Sequence, residues 1–431
     1  MKKILLGLTL LPQFFCLIAQ PLAISSPESV GMSSSYLSHA DELITSTISK
    51  GELPGGVFVV VRKGKIVYFK HYGFRTNDHK VKYQNDDIFR IASMTKAVTT
   101  VAIMQLYERG KLGLDDPVYW YLPKFKEAKV LDSFNEEDSS YTTVPVKRPI
   151  TIRHLLTHTS GITYGEFNPG KLLAVYTKLG MTGVGLSHPT WTTEEFIDKL
   201  AGVPLAFQPG EQFLYGLNMD VLGRIIEVVS GMTLDEYFRQ HIFMPLGMTD
   251  TYFYVPKNKQ DRIVQVYTED ENKKEIMSSS SGLNNDLDYP KMIGRNHFAG
   301  GGGLSSTAMD YARLIQALLN NGLYNGYHLL RPQTMDVLTG DQLIKQNREG
   351  KGISTEPGIS FCLGFLLWTQ EAQGLAIKSP GTYEWGGYFN TKFFIDPEEE
   401  LIFVGMTQIV PYSHGEFWDR LYAIIYGAIE E

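Results

Sequence analysis

Both ends of this chain read as strand and the stretch between them reads mostly as helix. That arrangement constrains the fold more than any other feature. Residues 57–62 and 66–71 are rich in β-branched and aromatic side chains, and Lys63-Gly64 joins them, so they predict a hairpin. Residues 361–369, 392–395 and 401–406 predict strands again, with Asp396-Pro397-Glu398-Glu399 as the turn between the last two. Helices are predicted over 33–50, 93–109, 151–158, 193–201, 219–230, 233–243 and 415–429 from apolar spacing and stop signals. Strands from both termini can share one sheet when the segment between them packs as its own body. The expected architecture is α+β: an antiparallel sheet flanked by helices, built from residues 24–110 and 290–431. A mainly helical domain, 111–289, is inserted. Residues 131–148 read as a polar linker.

Within this frame Ser93-Met94-Thr95-Lys96 is the only place where a lysine follows a serine by three residues. On a helix such a pair shares one face, with Cβ atoms about 5–6 Å apart. An amine held beside a hydroxyl can take its proton, so the pair reads as an activated nucleophile. No Gly-x-Ser-x-Gly occurs, which removes the nucleophile elbow of the α/β hydrolases.

Composition narrows the partners. The net charge is −7 with no basic block, so no nucleic-acid partner is expected. Lys2 and Lys3 precede an apolar run over 4–19 that Pro12 and Gln13 interrupt. The run is too short to span a bilayer and reads as a secretory signal, residues 1–23, cleaved after Ala19 or Ala23. A periplasmic or secreted protein, with no stable membrane insertion after cleavage, is the expectation. Of the two cysteines, Cys16 falls in that signal, and Cys362 then stands alone in an apolar run as a buried thiol. His154 and His158 are spaced like zinc ligands on a helix, but no third ligand accompanies them, and structural roles are expected. Gly300–Gly303 lacks the Lys-Ser/Thr of a phosphate loop and reads as a close backbone approach.

Further blocks follow in order. They are Ile150–Gly161, Pro209-Gly210 with Tyr215, Asp220-Val221-Leu222-Gly223, Pro245–Thr251, Gly300–Thr307 and Trp385-Gly386-Gly387. With Ser93-x-x-Lys96 this series resembles the serine β-lactamases and penicillin-binding proteins, in particular the class C branch. It departs from that branch twice. Leu217 occupies the usual asparagine position of the Tyr-x-Asn motif, with Asn218 one step late, and Trp385 replaces the lysine of Lys-Thr-Gly. Both departures resemble the family VIII carboxylesterases.

The resemblance implies a β-lactamase/transpeptidase-like fold and acyl transfer without cofactor or metal. Ser93 would be the nucleophile, with Lys96 and Tyr215 as general base and acid. Backbone amides of Ser93 and Tyr388 would form the oxyanion hole, and Trp385, Gly386, Gly387, Leu217 and Asn218 would bind substrate. Free in water, both amine and phenol keep their protons at neutral pH. Held together, they titrate as a pair. Trp385 offers a flat apolar surface where a lysine would offer a cation for a carboxylate. That favours a small-molecule ester over a penicillin. A β-lactamase, a D-alanyl carboxypeptidase, an acyltransferase and a non-catalytic cell-wall-peptide binder are the alternatives. The sequence assigns no oligomeric state. Asp220 is expected to be a structural hydrogen-bonding residue.

Overall fold

A computed structural model describes residues 22–76, 80–166, 170–183, 185–188, 190–277, 288–354 and 356–430. Residues 1–21 of the expected signal lie outside the described residues. Eight strands form one sheet: β1 (Ala23–Ile24), β2 (Gly55–Arg62), β3 (Lys65–Gly73), β4 (Ile359–Phe361), β5 (Leu366–Trp368), β6 (Tyr383–Gly387), β7 (Thr391–Asp396) and β8 (Leu401–Met406). Their spatial order is β1, β3, β2, β8, β7, β6, β5, β4. Every neighbouring pair is antiparallel except β1 with β3, which is parallel. Strands from the two ends of the chain meet at the centre, where β2 pairs β8 from Val57 opposite Met406 to Arg62 opposite Leu401. The fold is of the β-lactamase/transpeptidase type.

Why β2 sits centrally follows from its sequence. All eight of its residues are buried. Val57, Val59 and Val61 enter one core, while Phe58 and Val60 enter another. A strand covered on both faces reads as a continuous apolar run rather than an alternation. On one face the helices Ser34–Ser49 and Glu416–Gly427 pack through Leu37, Ile44, Trp418, Leu421 and Ile425. The other face carries Thr95–Glu108 and Ala308–Leu319. Every residue from Thr95 to Leu106 is buried, the mark of a helix enclosed on all sides. Beyond it lies Asn218–Ser230, and one core runs from Val57 through Met104 to Ile225.

Three local expectations need correction. Residues 361–369 are not one strand but the β4–β5 hairpin. The chain reverses at Leu363-Gly364, where Cys362 N donates to Phe365 O at 2.9 Å. Gly364 has φ +82°, and a Cβ there would lie 2.1 Å from Thr100 Oγ1. Apolar residues on both sides hid the turn. The polar segment 131–148 contains an antiparallel hairpin, Lys129–Phe134 with Tyr141–Pro145. Only Val130 and Leu131 of its two strands are buried, so it lacks the apolar alternation that would have announced it. The helix Ala308–Leu319, capped by Thr307 Oγ1 on Asp310 N at 3.2 Å, was not anticipated at all.

Candidate active site

Ser93 occupies a single 3-10 turn, Ala92–Met94, that runs into the helix Thr95–Glu108. Ala92 holds φ +41°, a left-handed conformation that costs a non-glycine residue roughly 1–2 kcal/mol. Packing of Ala92 with Leu186 and Phe389 in a small core of their own fixes that bend. As a result Ala92 and Met94 are fully buried while Ser93 between them reaches the surface of a cleft.

Lys96, one turn on, is buried with its ammonium fully used. Its Nζ donates to Gly301 O at 2.6 Å, Ser93 Oγ at 3.1 Å and Tyr164 OH at 3.2 Å. An ammonium has three donors, and all are satisfied. Tyr215 OH donates to the same Ser93 Oγ at 2.7 Å, and Lys96 Nζ lies 4.8 Å from the Tyr215 ring centroid. Trp385 completes the set, donating from Nε1 to Tyr215 OH at 3.3 Å. Its ring stands between those of Tyr215 and Phe361, at 5.4 and 5.6 Å.

Tyr215 is held from behind. Leu214 N donates to His158 O at 2.8 Å, and Thr163 Oγ1 donates to Tyr215 O at 3.3 Å. Gly216 lets the two segments touch, since a Cβ there would lie 2.3 Å from Ile162 O. The His158 ring packs 4.8 Å from that of Tyr215. Burial, reinforced by the Lys96 cation, holds this imidazole well below its usual titration range, so it is neutral. Asn218 Nδ2 donates to His158 Nδ1 at 2.9 Å, and Asn218 Oδ1 accepts from Ser160 Oγ at 2.5 Å. His154 points elsewhere, its Nδ1 accepting from Thr151 N at 3.2 Å at the start of the helix Ile152–Leu156. The two histidines therefore share no centre.

The expected substrate-binding roles of Leu217 and Asn218 are not supported. Both are fully buried, Leu217 in the core and Asn218 in the network behind Tyr215. Once Gly216 is pinned against Ile162, the chain turns into the helix Asn218–Ser230, and both side chains point inward. Asp220 lies deeper in that helix and accepts from Gly301 N at 3.1 Å through Oδ1. Its burial pushes its pKa up to about 6, against the pull of Lys96. A Cβ on Gly301 would sit 2.5 Å from Asp220 Oδ2, which is why glycine is needed there.

Ser93, Tyr215, Trp385, Gly386, Gly387 and Tyr388 line one end of a cleft of about 560 Å³. Its other end wraps past the glycines of β6 to Lys378, Glu384, Lys392, Trp418 and Tyr422. Tyr164 and the Gly301 carbonyl, both on Lys96, were not singled out from the sequence. Tyr164 lies three residues after the Ile150–Gly161 block and Gly301 lies inside the glycine run, so nearness was the only signal.

Comparison with known proteins finds relatives along most of the chain. The family model described as Beta-lactamase matches residues 40–426. Lovastatin esterase of Penicillium rubens is 31% identical over 86% of this chain and 92% of its own length. Esterase EstB of Burkholderia gladioli is 28% identical over 84% and 88%. Among solved structures, EstCE1, described as a hydrolase with promiscuous acyltransferase activity, superposes with a TM-score of 0.77. It is 25% identical and covers 91% of this chain and 99% of its own. The chain belongs to the Beta-lactamase family, and its relatives include esterases and acyltransferases.

Proposed function

We propose that this protein cleaves carboxylic esters through an acyl-enzyme on Ser93. The observation that carries the reading is the convergence of Lys96 Nζ and Tyr215 OH on one oxygen, at 3.1 and 2.7 Å. The Tyr215 oxygen accepts from an indole N–H and its ring faces an ammonium, so it is placed to receive the serine proton. In the reacting state the Tyr215/Lys96 pair holds one proton fewer than in this hydrogen-bond pattern, and as the Ser93 Oγ–carbonyl carbon bond forms the pair takes up the serine proton. As the ester C–O bond breaks, the pair returns it to the leaving alcohol. Water then attacks the acyl-enzyme and releases the acid. Acid–base help of this kind is worth about 10²–10⁴-fold.

The oxyanion would rest on the backbone N–H groups of Ser93 and Tyr388. Ser93 stands at the start of a helical turn, where the first amides lack intrahelical partners. An alcohol in place of water would make the same site an acyltransferase, a reading the EstCE1 likeness supports. Trp385 supports esters over penicillins, because no cation stands at that position of the strand. Export rests on residues 1–23 alone, and N-terminal sequencing of the mature protein tests it.

The decisive experiment is hydrolysis of p-nitrophenyl butyrate, with fluorophosphonate labelling located by mass spectrometry. Label on Ser93, with loss of turnover in Ser93→Ala, is the expected result. An unlabelled protein would turn the reading toward a non-catalytic binding module, and an active Ser93→Ala would remove Ser93 from the chemistry.

A further inference from the structure

The far end of the cleft holds two lysines in different states. Lys378 pairs with Glu384, and the other oxygen of Glu384 accepts from Trp368 Nε1 at 2.9 Å. That carboxylate is fully engaged. Lys392, on β7 directly opposite Gly386, makes no ion pair and no side-chain hydrogen bond with any described residue. The carboxylates of Glu384 and Asp419 attract it only from beyond ion-pair distance, and Asp419 at the rim is exposed. Lys392 is nevertheless half-buried, and that burial lowers its pKa. A cation in that state has no partner in direct contact.

Position makes this cation relevant to the serine. Lys392 lines the same cleft as Ser93. A Cβ on Gly386 would lie 3.1 Å from Lys392 Nζ, so the ammonium fills the space that this glycine leaves empty. Gly386 precedes Tyr388, the first residue beyond the strand, by two residues, a backbone separation of at most about 7 Å. A substrate bound at Ser93 can therefore cross the bare glycine edge and place its far end at Lys392.

We propose that Lys392 is an anion subsite, and that the preferred esters carry a carboxylate about 7 Å from the scissile carbonyl. The inference rests on the ester reading above and deepens it. Trp385 leaves no cation on the serine side of the sheet; Lys392 supplies one at the opposite end of the same cleft. The carboxylate can belong to the acyl half or to the alcohol half, and the chemistry at Lys392 is the same.

Three probes separate the cases: p-nitrophenyl hydrogen adipate, its neutral carboxamide twin, and an acetate ester whose alcohol half bears a carboxylate. The expected result is a kcat/KM ratio of adipate to carboxamide probe of about ten or more, the worth of a charge-assisted hydrogen bond. Lys392→Gln should bring that ratio close to one, and Lys392→Arg should keep it. Preference for the alcohol-borne carboxylate instead places the anion on the leaving group and also supports the subsite. A ratio near one in the wild type with no preference for the alcohol-borne carboxylate, or a preference that Lys392→Gln leaves unchanged, overturns the subsite while leaving the esterase intact. If no ester is turned over, calorimetry of adipate monoamide binding to the intact protein still decides. Uptake lost in Lys392→Gln supports the subsite, and absence of uptake overturns it.

Discussion

Lys96 is buried and Lys392 half-buried, and both line or adjoin one cleft, yet they are treated differently. Lys96 has an acceptor for each of its three protons. Lys392 has none among the described residues. A saturated lysine fixes geometry, because moving it would break three hydrogen bonds at once. An unsaturated one is left for a ligand to satisfy. The serine end of the cleft is thus rigid and chemical, and the far end is open and selective.

Substituting each lysine by methionine breaks or sharpens that contrast most strongly. Lys96→Met should lower kcat on p-nitrophenyl butyrate by about 10²–10⁴-fold. It should also destabilise the fold by about 1–3 kcal/mol, because the Gly301 carbonyl and Tyr164 hydroxyl lose their donor. Lys392→Met should leave folding free energy unchanged to about 0.5 kcal/mol, or raise it slightly. Urea denaturation of both variants reads the difference. Equal losses would mean that Lys392 is a structural lysine after all.

The next effect is electrostatic and belongs to the rigid end. Asp220 titrates near 6 in the folded protein and near 3.8 as an unperturbed side chain, with burial as the cause. A carboxyl raised in this way binds its proton more tightly when folded. Its contribution to stability is therefore full below about pH 4 and is lost as pH rises through about 6. The loss is at most about 3 kcal/mol. Asp220→Asn should remove that pH dependence, so the stability difference between variant and wild type should grow in the variant's favour from pH 4 to 6 and then level off. Denaturation midpoints measured from pH 4 to 8 check it, and parallel curves would show that Lys96 fully compensates the buried charge.

The rigid end was also the more legible in the sequence. Ser93 and Lys96 stand out as a side-chain pair at helical spacing, and Tyr215 is reached through the family resemblance of the blocks around it. The third partner of Lys96 is a backbone carbonyl 205 residues away, and no residue type announces a carbonyl. Leu217 and Asn218 were misplaced because register alone does not say which way a side chain points once Gly216 has turned the chain into its helix. The central strands were readable from their apolar runs, whereas the turn at Gly364 was hidden inside one. Lys392 looked like an ordinary strand lysine, and only the empty place at Gly386 gives it meaning.

The smallest effect joins the two ends through Trp385. Sequence alone made this residue an apolar wall; the structure gives it a donor as well, with Nε1 3.3 Å from Tyr215 OH. Trp385→Phe keeps the ring between Tyr215 and Phe361 and removes only that N–H. A bond of this length to a phenol oxygen contributes about 1 kcal/mol, so kcat should fall roughly fivefold. Because the N–H acts on Tyr215 rather than on substrate, KM for the neutral ester should stay within about twofold, and the loss should be equal for the adipate and carboxamide probes. A rise in KM with kcat unchanged would mean that Trp385 serves only as wall. A loss confined to the adipate probe would mean that the indole, and not Lys392, reads the distant charge.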